Sequence, residues 1–121
     1  LLEVLETIDE HNALGASGDP AALRLACNAS LMLGRYDEAI EQCERAVALE
    51  NYWPAYLTLT ATYSLSGDMV RAANARSQLL QSAPGFTISR LKRKQFSINP
   101  DYVKFREQVL YPALDKAGVP E

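Results

Sequence analysis

A chain of 121 residues is one domain's worth, and a compact fold of that size buries roughly two-thirds of its extended-chain surface without needing disulfides or metals. Hydrophobic residues at 48% and charged residues at 22% exclude a disordered chain, two cysteines exclude a disulfide-stapled miniprotein, and a single histidine excludes a multi-histidine metal site. The net charge of −3 is unevenly spread: residues 1–50 hold ten Asp/Glu against three Lys/Arg, and residues 51–121 hold five against nine, a polarity fitted either to steering an acidic partner or to two solvated faces.

No run approaches the roughly 20 apolar residues of a membrane span, and no signal-peptide pattern opens the chain. No membrane partner is therefore expected. A chain that opens on Leu1 reads as an excised piece of a longer protein.

In chain order, Leu1, Leu2, Leu5 and Ile8 (with Val4) predict an amphipathic capping helix over 1–18, ended by Gly15, Ala16, Ser17 and Gly18. Asp19 is a natural N-cap, and Pro20 at the first helical position lacks a donor that the helix would not use. Leu23, Ala26, Cys27 and Ser30 then share one face by i, i+3, i+4, i+7 spacing. Gly34 gives the freedom needed for a tight turn. Beyond it, Tyr36, Ala39, Ile40, Cys43, Ala46 and Val47 form a buried stripe, with Asp37, Glu38, Glu41, Glu44 and Arg45 on the wet face.

The pattern then recurs. Gly34 to Ala39 returns in outline as Gly67 to Ala72, with the two glycines 33 positions apart. The second copy carries Tyr56, Leu59 and Tyr63 on its first helix, and Met69, Ala72, Ala73, Leu79 and Leu80 as the stripe of its second. Pro84, Gly85 and Phe86 break the chain, and Thr87 caps a short helix through Ile88, Leu91 and Lys94. Asn99 and Pro100 start another, carrying Tyr102, Val103, Phe105, Val109 and Leu110. Pro112 lacks a donor toward Gln108, so that helix is expected to kink or restart. Gly118 is the natural stop, followed by Pro120.

Small residues at Cys27, Ala39, Ala46 and Ala72, Gly-x-Tyr after the first turn, and Pro84 closing the second copy together resemble the tetratricopeptide repeat. The resemblance implies an all-α fold, an α-α superhelix of two helix hairpins (20–51 and 53–84) in a right-handed stack, with capping helices over 1–18 and 86–121. Met69, where tyrosine is usual, and Arg76, where a large apolar residue is usual, depart from the pattern. Arg76 implies a looser stack or a helix end facing solvent. The stretch from Pro84 onward, closing on Leu114, Asp115, Lys116, Ala117, Gly118, Val119, Pro120 and Glu121, resembles the segment that follows such repeats in bacterial adenylate/guanylate cyclase-type proteins. The implied parent is a cytoplasmic bacterial signalling protein.

No catalytic constellation is evident, no cofactor or metal is implied, and the fragment reads as non-enzymatic. His11, beside Asp9 and Glu10, reads as a solvated surface residue. Cys27 and Cys43 occupy small-residue packing positions that suit free thiols, with a disulfide between the paired helices as the lesser alternative. A concave groove is expected along the first helix of each pair, lined by Ala21, Arg24, Asn28, Leu31 and Met32, then Pro54, Leu57, Thr58, Ala61 and Ser64. Arg24 and Asn28, one turn apart, match the basic and asparagine positions with which some repeats of this kind hold a peptide's C-terminal carboxylate. Thr58 stands where those domains have another asparagine. The competing reading has Arg24 paired with a carboxylate such as Glu50. The expected role is a protein–protein or peptide-binding scaffold, with homodimerisation or a purely structural segment as alternatives. Four cations at Arg90, Lys92, Arg93 and Lys94 suit a wet helix face better than a nucleic-acid contact, which is ranked last.

Overall fold

The computed structural model describes residues 19–94 and 99–121. The expected capping helix over 1–18, with His11, lies outside the described residues. All regular structure among the described residues is helical: α1 (Pro20–Met32), α2 (Tyr36–Leu49), α3 (Trp53–Ser66), α4 (Met69–Ser82), α5 (Ile88–Lys94), α6 (Pro100–Phe105), a π-helical segment (Arg106–Leu110) and α7 (Tyr111–Lys116). No helix among them is long and apolar enough to cross a membrane. The chain is thus all-α and built on helix hairpins, α1 with α2 and α3 with α4.

The repeat seen in the sequence is reproduced in the turns. Gly34 and Gly67 both sit at positive φ, +75° and +87°, where a side chain would be strained. Around them the Arg35 N–H donates to Ser30 O at 2.9 Å, and the Asp68 N–H donates to Tyr63 O at the same distance. Donor and acceptor are each shifted by the spacing of the two glycines. Caps follow the expected chemistry as well: the Ala21 N–H donates to Asp19 Oδ1 at 3.0 Å, Arg90 N–H to Thr87 Oγ1 at 3.1 Å, and Asp101 N–H to Asn99 Oδ1 at 2.9 Å.

Helix α3 is the axle of the fold. It packs on α1, α2, α4 and α7, and buries Ala55, Leu57, Thr58, Leu59, Thr60, Ala61, Thr62, Tyr63 and Ser64. Three threonines can lie in so dry a place because each hydroxyl donates back into its own helix, Thr58 to Pro54 O, Thr60 to Tyr56 O and Thr62 to Thr58 O. The main apolar cluster runs from Cys27, Leu31, Ala39 and Cys43 through Leu59, Ala72 and Leu79 to Leu110, Leu114 and Val119.

Two expectations, on Met69 and Arg76, are corrected, and the one on Pro112 is met. Met69 opens α4 and is 37% exposed, so Ala75 rather than Met69 completes that helix's buried stripe with Ala72 and Leu79. At Pro112 the helix restarts as expected, the proline lying in the first turn of α7. The turns before it widen to a π-helix, and the Tyr111 N–H reaches back five residues to Arg106 O, which relieves the ring's clash with the preceding turn. Arg76 does not loosen the stack. Half-buried, it donates from Nη1 to Ala117 O at 3.0 Å, supplying the last turn of α7 with a cationic partner. Gly118 sits there at φ +88°, a conformation that favours glycine, and a Cβ would also displace the guanidinium end of Arg76.

The chain's last residues are anchored away from the inner face of the hairpins. Pro120 O accepts from the Ile88 N–H at 2.8 Å and Glu121 O from the Ser89 N–H at 3.0 Å. They satisfy backbone donors at the start of α5 that no helical carbonyl can reach.

Candidate functional site

Helices α1, α3 and α5 border a groove of about 610 Å³. Ala21, Arg24, Leu25 and Asn28 come from α1, Trp53, Pro54, Leu57 and Thr58 from α3, and Leu91 and Lys94 from α5. The floor is apolar, the rim carries two cations, and Leu25 is 53% exposed, an uncovered leucine beside a tryptophan. A ring stack of Tyr52, Trp53 and Phe86 stiffens one end, with centroids 6.3 and 5.6 Å apart.

Four of the six site residues expected from sequence meet here: Arg24, Asn28, Leu57 and Thr58. Arg24 is held from two sides, its Nη1 3.3 Å from Glu50 Oε2 and its guanidinium 4.7 Å above the Tyr52 ring. The pairing with Glu50 is therefore real. An exposed ion pair is worth only about 0–1 kcal/mol, so an incoming carboxylate that also gains a fork of two N–H donors can displace Glu50. Asn28, exposed one turn on, offers both a donor and an acceptor. The Thr58 hydroxyl donates at 3.2 Å to Pro54 O, which leaves only its lone pairs for a ligand.

The other two expected residues are not groove residues. Leu31 is almost fully buried in the main apolar cluster, and Ser64 is buried with its Oγ lacking a hydrogen-bond partner; Ala61, expected beside them, is equally inside. The reason is tertiary. The closing helix α7 packs on α3, and the cluster that contains Leu31 and Ala61 continues into Leu110 and Leu114. What would be open groove in a bare pair of hairpins has become core at that end.

Trp53, Leu91 and Lys94 were missed by the sequence reading. Trp53 is the chain's single tryptophan, followed directly by the proline of the second hairpin, and that was the available signal. The sequence puts Leu91, with Ile88, on the anchored side of a short helix and Lys94 on its wet face, and neither in a groove. The basic run is in fact divided: Arg90 Nη1 donates to Gly85 O at 2.8 Å, Lys92 Nζ lies 5.0 Å from the Tyr111 ring centroid, and Lys94 turns to the groove. A second concavity, about 730 Å³, lies between α5 and the C-terminal helices. There Lys92 and Arg106 face Glu107, Asp115 and Glu121, a mixed lining with no preferred sign of ligand.

Away from the groove, Tyr63 Oη donates to Glu44 Oε1, joining α3 to α2. Burial, then the bond to Glu44 and its negative charge, push the Tyr63 hydroxyl up from 10.0 to about 12. Tyr111 is also raised, by burial first. Among the described residues no group of three or more His, Cys, Asp or Glu is placed to hold a metal ion.

The cysteines overturn the expectation of free thiols. Cys27 and Cys43 form a disulfide across α1 and α2, with Cα atoms 5.4 Å apart, inside the usual span for such a bond. No family model, curated protein or solved structure matches the chain.

Proposed function

We propose that this chain is a non-catalytic module for holding protein segments, a scaffold or regulatory region of tetratricopeptide type within a larger bacterial signalling protein. The observation that carries the reading is the groove itself. It combines an apolar lining, the exposed Leu25 and half-buried Trp53 over the buried Leu57 and Leu91, with cations at Arg24 and Lys94, the composition that receives an extended segment through an apolar anchor and an acidic end.

Trp53 supplies an intrinsic reporter. A pool of short peptides ending in an apolar residue and a free carboxylate is titrated while Trp53 emission is followed, with the C-terminally amidated pool as control. The expected outcome is saturable quenching or a blue shift by the free-acid peptides, and weaker binding by the amides. Arg24→Ala then weakens binding by about 1.5–3 kcal/mol, the range for a hydrogen bond to a charged group. Identical titrations for free acid and amide, or for Arg24→Ala and the parent, remove the anion-gripping groove.

A further inference from the structure

The first hairpin is tied across its interior at several levels. Ser30 Oγ and Gln42 Oε1 lie 2.8 Å apart, Arg24 meets Glu50 at the helix ends, and between them runs the Cys27–Cys43 bond, both residues wholly inaccessible to solvent. Cys27 also lies directly between the two polar groove residues of α1, three positions after Arg24 and one before Asn28. We propose that this bond is a redox-removable staple: oxidised, it fixes α1 against α2, and reduced, it leaves the hairpin folded but loosens the helix that forms one wall of the groove.

Both states have a place in the packing. A dithiol reductant supplies the two electrons: one of its thiolates attacks a cystine sulfur, the S–S bond breaks, and a mixed disulfide forms. Its second thiolate displaces the protein sulfur, leaving a cyclic disulfide as the oxidised product, while two protons end on the Sγ atoms of Cys27 and Cys43. Ala39 O lies 3.1 Å from Cys27 Sγ and accepts the proton of the new thiol. The thiols otherwise sit in the main apolar cluster with Ala39 and Leu31, where free cysteine packs as a small apolar side chain. A disulfide-class oxidant reverses the exchange. Since neither sulfur touches solvent, attack in either direction waits for the hairpin to open, and the staple is set while the chain folds rather than toggled rapidly.

The effect on the groove rests on the reading above, whereas the staple is read without any ligand. Protein prepared without reductant is unfolded in the presence of an alkylating agent, and no thiol is expected to react; after dithiothreitol, two react. Hydrogen exchange of protein refolded with and without dithiothreitol is expected to show amides of 20–49 exchanging about tenfold faster when reduced, with a smaller change over 53–82. The thermal midpoint falls by about 10 °C on reduction, and Cys27→Ala/Cys43→Ala abolishes that sensitivity. Should the double variant fail to fold, Cys43→Ala alone, which keeps the Cys27 thiol at Ala39 O, gives the same insensitivity. Two alkylated thiols in protein prepared without reductant, or equal exchange and midpoint in both states, overturn the staple. The peptide titration described above, repeated under dithiothreitol, then reads the link to the groove: weaker binding supports it and unchanged binding overturns it, with the staple itself judged by exchange alone.

Discussion

The two hairpins share a plan yet are held by different means, and the same pair of positions shows it. Cys27 and Cys43 of the first correspond, by the spacing of Gly34 and Gly67, to Thr60 and Arg76 of the second. In the first hairpin the pair closes inward as a covalent bond. In the second it divides: Thr60 bonds back to its own helix, and Arg76 reaches out to the end of α7. The first unit is therefore secured within itself, while the second is secured by what packs upon it. A repeat position fixes where a side chain stands; its neighbours decide what it does there.

The largest effect that can test this contrast comes from the second hairpin's core. Leu79 is fully buried, and Leu79→Ala is expected to cost about 2–5 kcal/mol, read from the denaturant midpoint. That cost persists unchanged under reductant, whereas the stabilisation from Cys27–Cys43 disappears. A loss below about 1 kcal/mol would mean that packing is not what holds this half.

Arg76→Met comes next. It keeps the packed stem but removes the donor to Ala117 O, and about 1–2 kcal/mol is expected to be lost. The loss is localised, with faster hydrogen exchange at Gly118 and Val119, whose N–H groups close the last turn of α7. A uniform change along the chain would refute the clamp.

The smallest effect joins the hairpins rather than separating them. Tyr63 binds its proton more tightly in the folded state, to about 12 against 10.0 when unperturbed. The folded state therefore holds the extra proton between those values, and stability falls as pH rises through them. Tyr63→Phe is expected to lower stability at pH 7 by about 1 kcal/mol, through the lost bond to Glu44, and to flatten the alkaline decline. An equally steep decline in the variant would assign it to other groups.

Much of the fold was legible because its signals are local. Asp19 before Pro20, the glycine turns, Asn99 before Pro100 and the Gly118 stop depend on residues within a few positions of one another. The site was legible in part. Arg24, Asn28, Leu57 and Thr58 face one way by helical spacing alone. Leu31 and Ser64 share that spacing, yet both are buried, Leu31 in a cluster that runs on into Leu110 and Leu114, and no local pattern announces where the closing helices will land. Leu91 and Lys94 escaped notice for the same reason, since the short helix α5 becomes a wall only once Pro84 and Gly85 turn it back. The disulfide was read wrongly as two free thiols, because small-residue packing positions suit a thiol and nothing local shows that the two Cα atoms come within 5.4 Å.

The wide turn at Arg106–Leu110 bears on how this chain tolerates change in length. By carrying one residue more than an ordinary turn, it sets the angular phase of everything after it, Leu114 and Ala117 included. Excising a single residue there would restore a regular spiral, in which fewer residues at the larger α-helical step of about 100° sweep the same angle, so the segment beyond would still face α3 and the guanidinium of Arg76. A one-codon deletion would be absorbed in that stretch, whereas within the regular helices it would turn every later residue by about 100°.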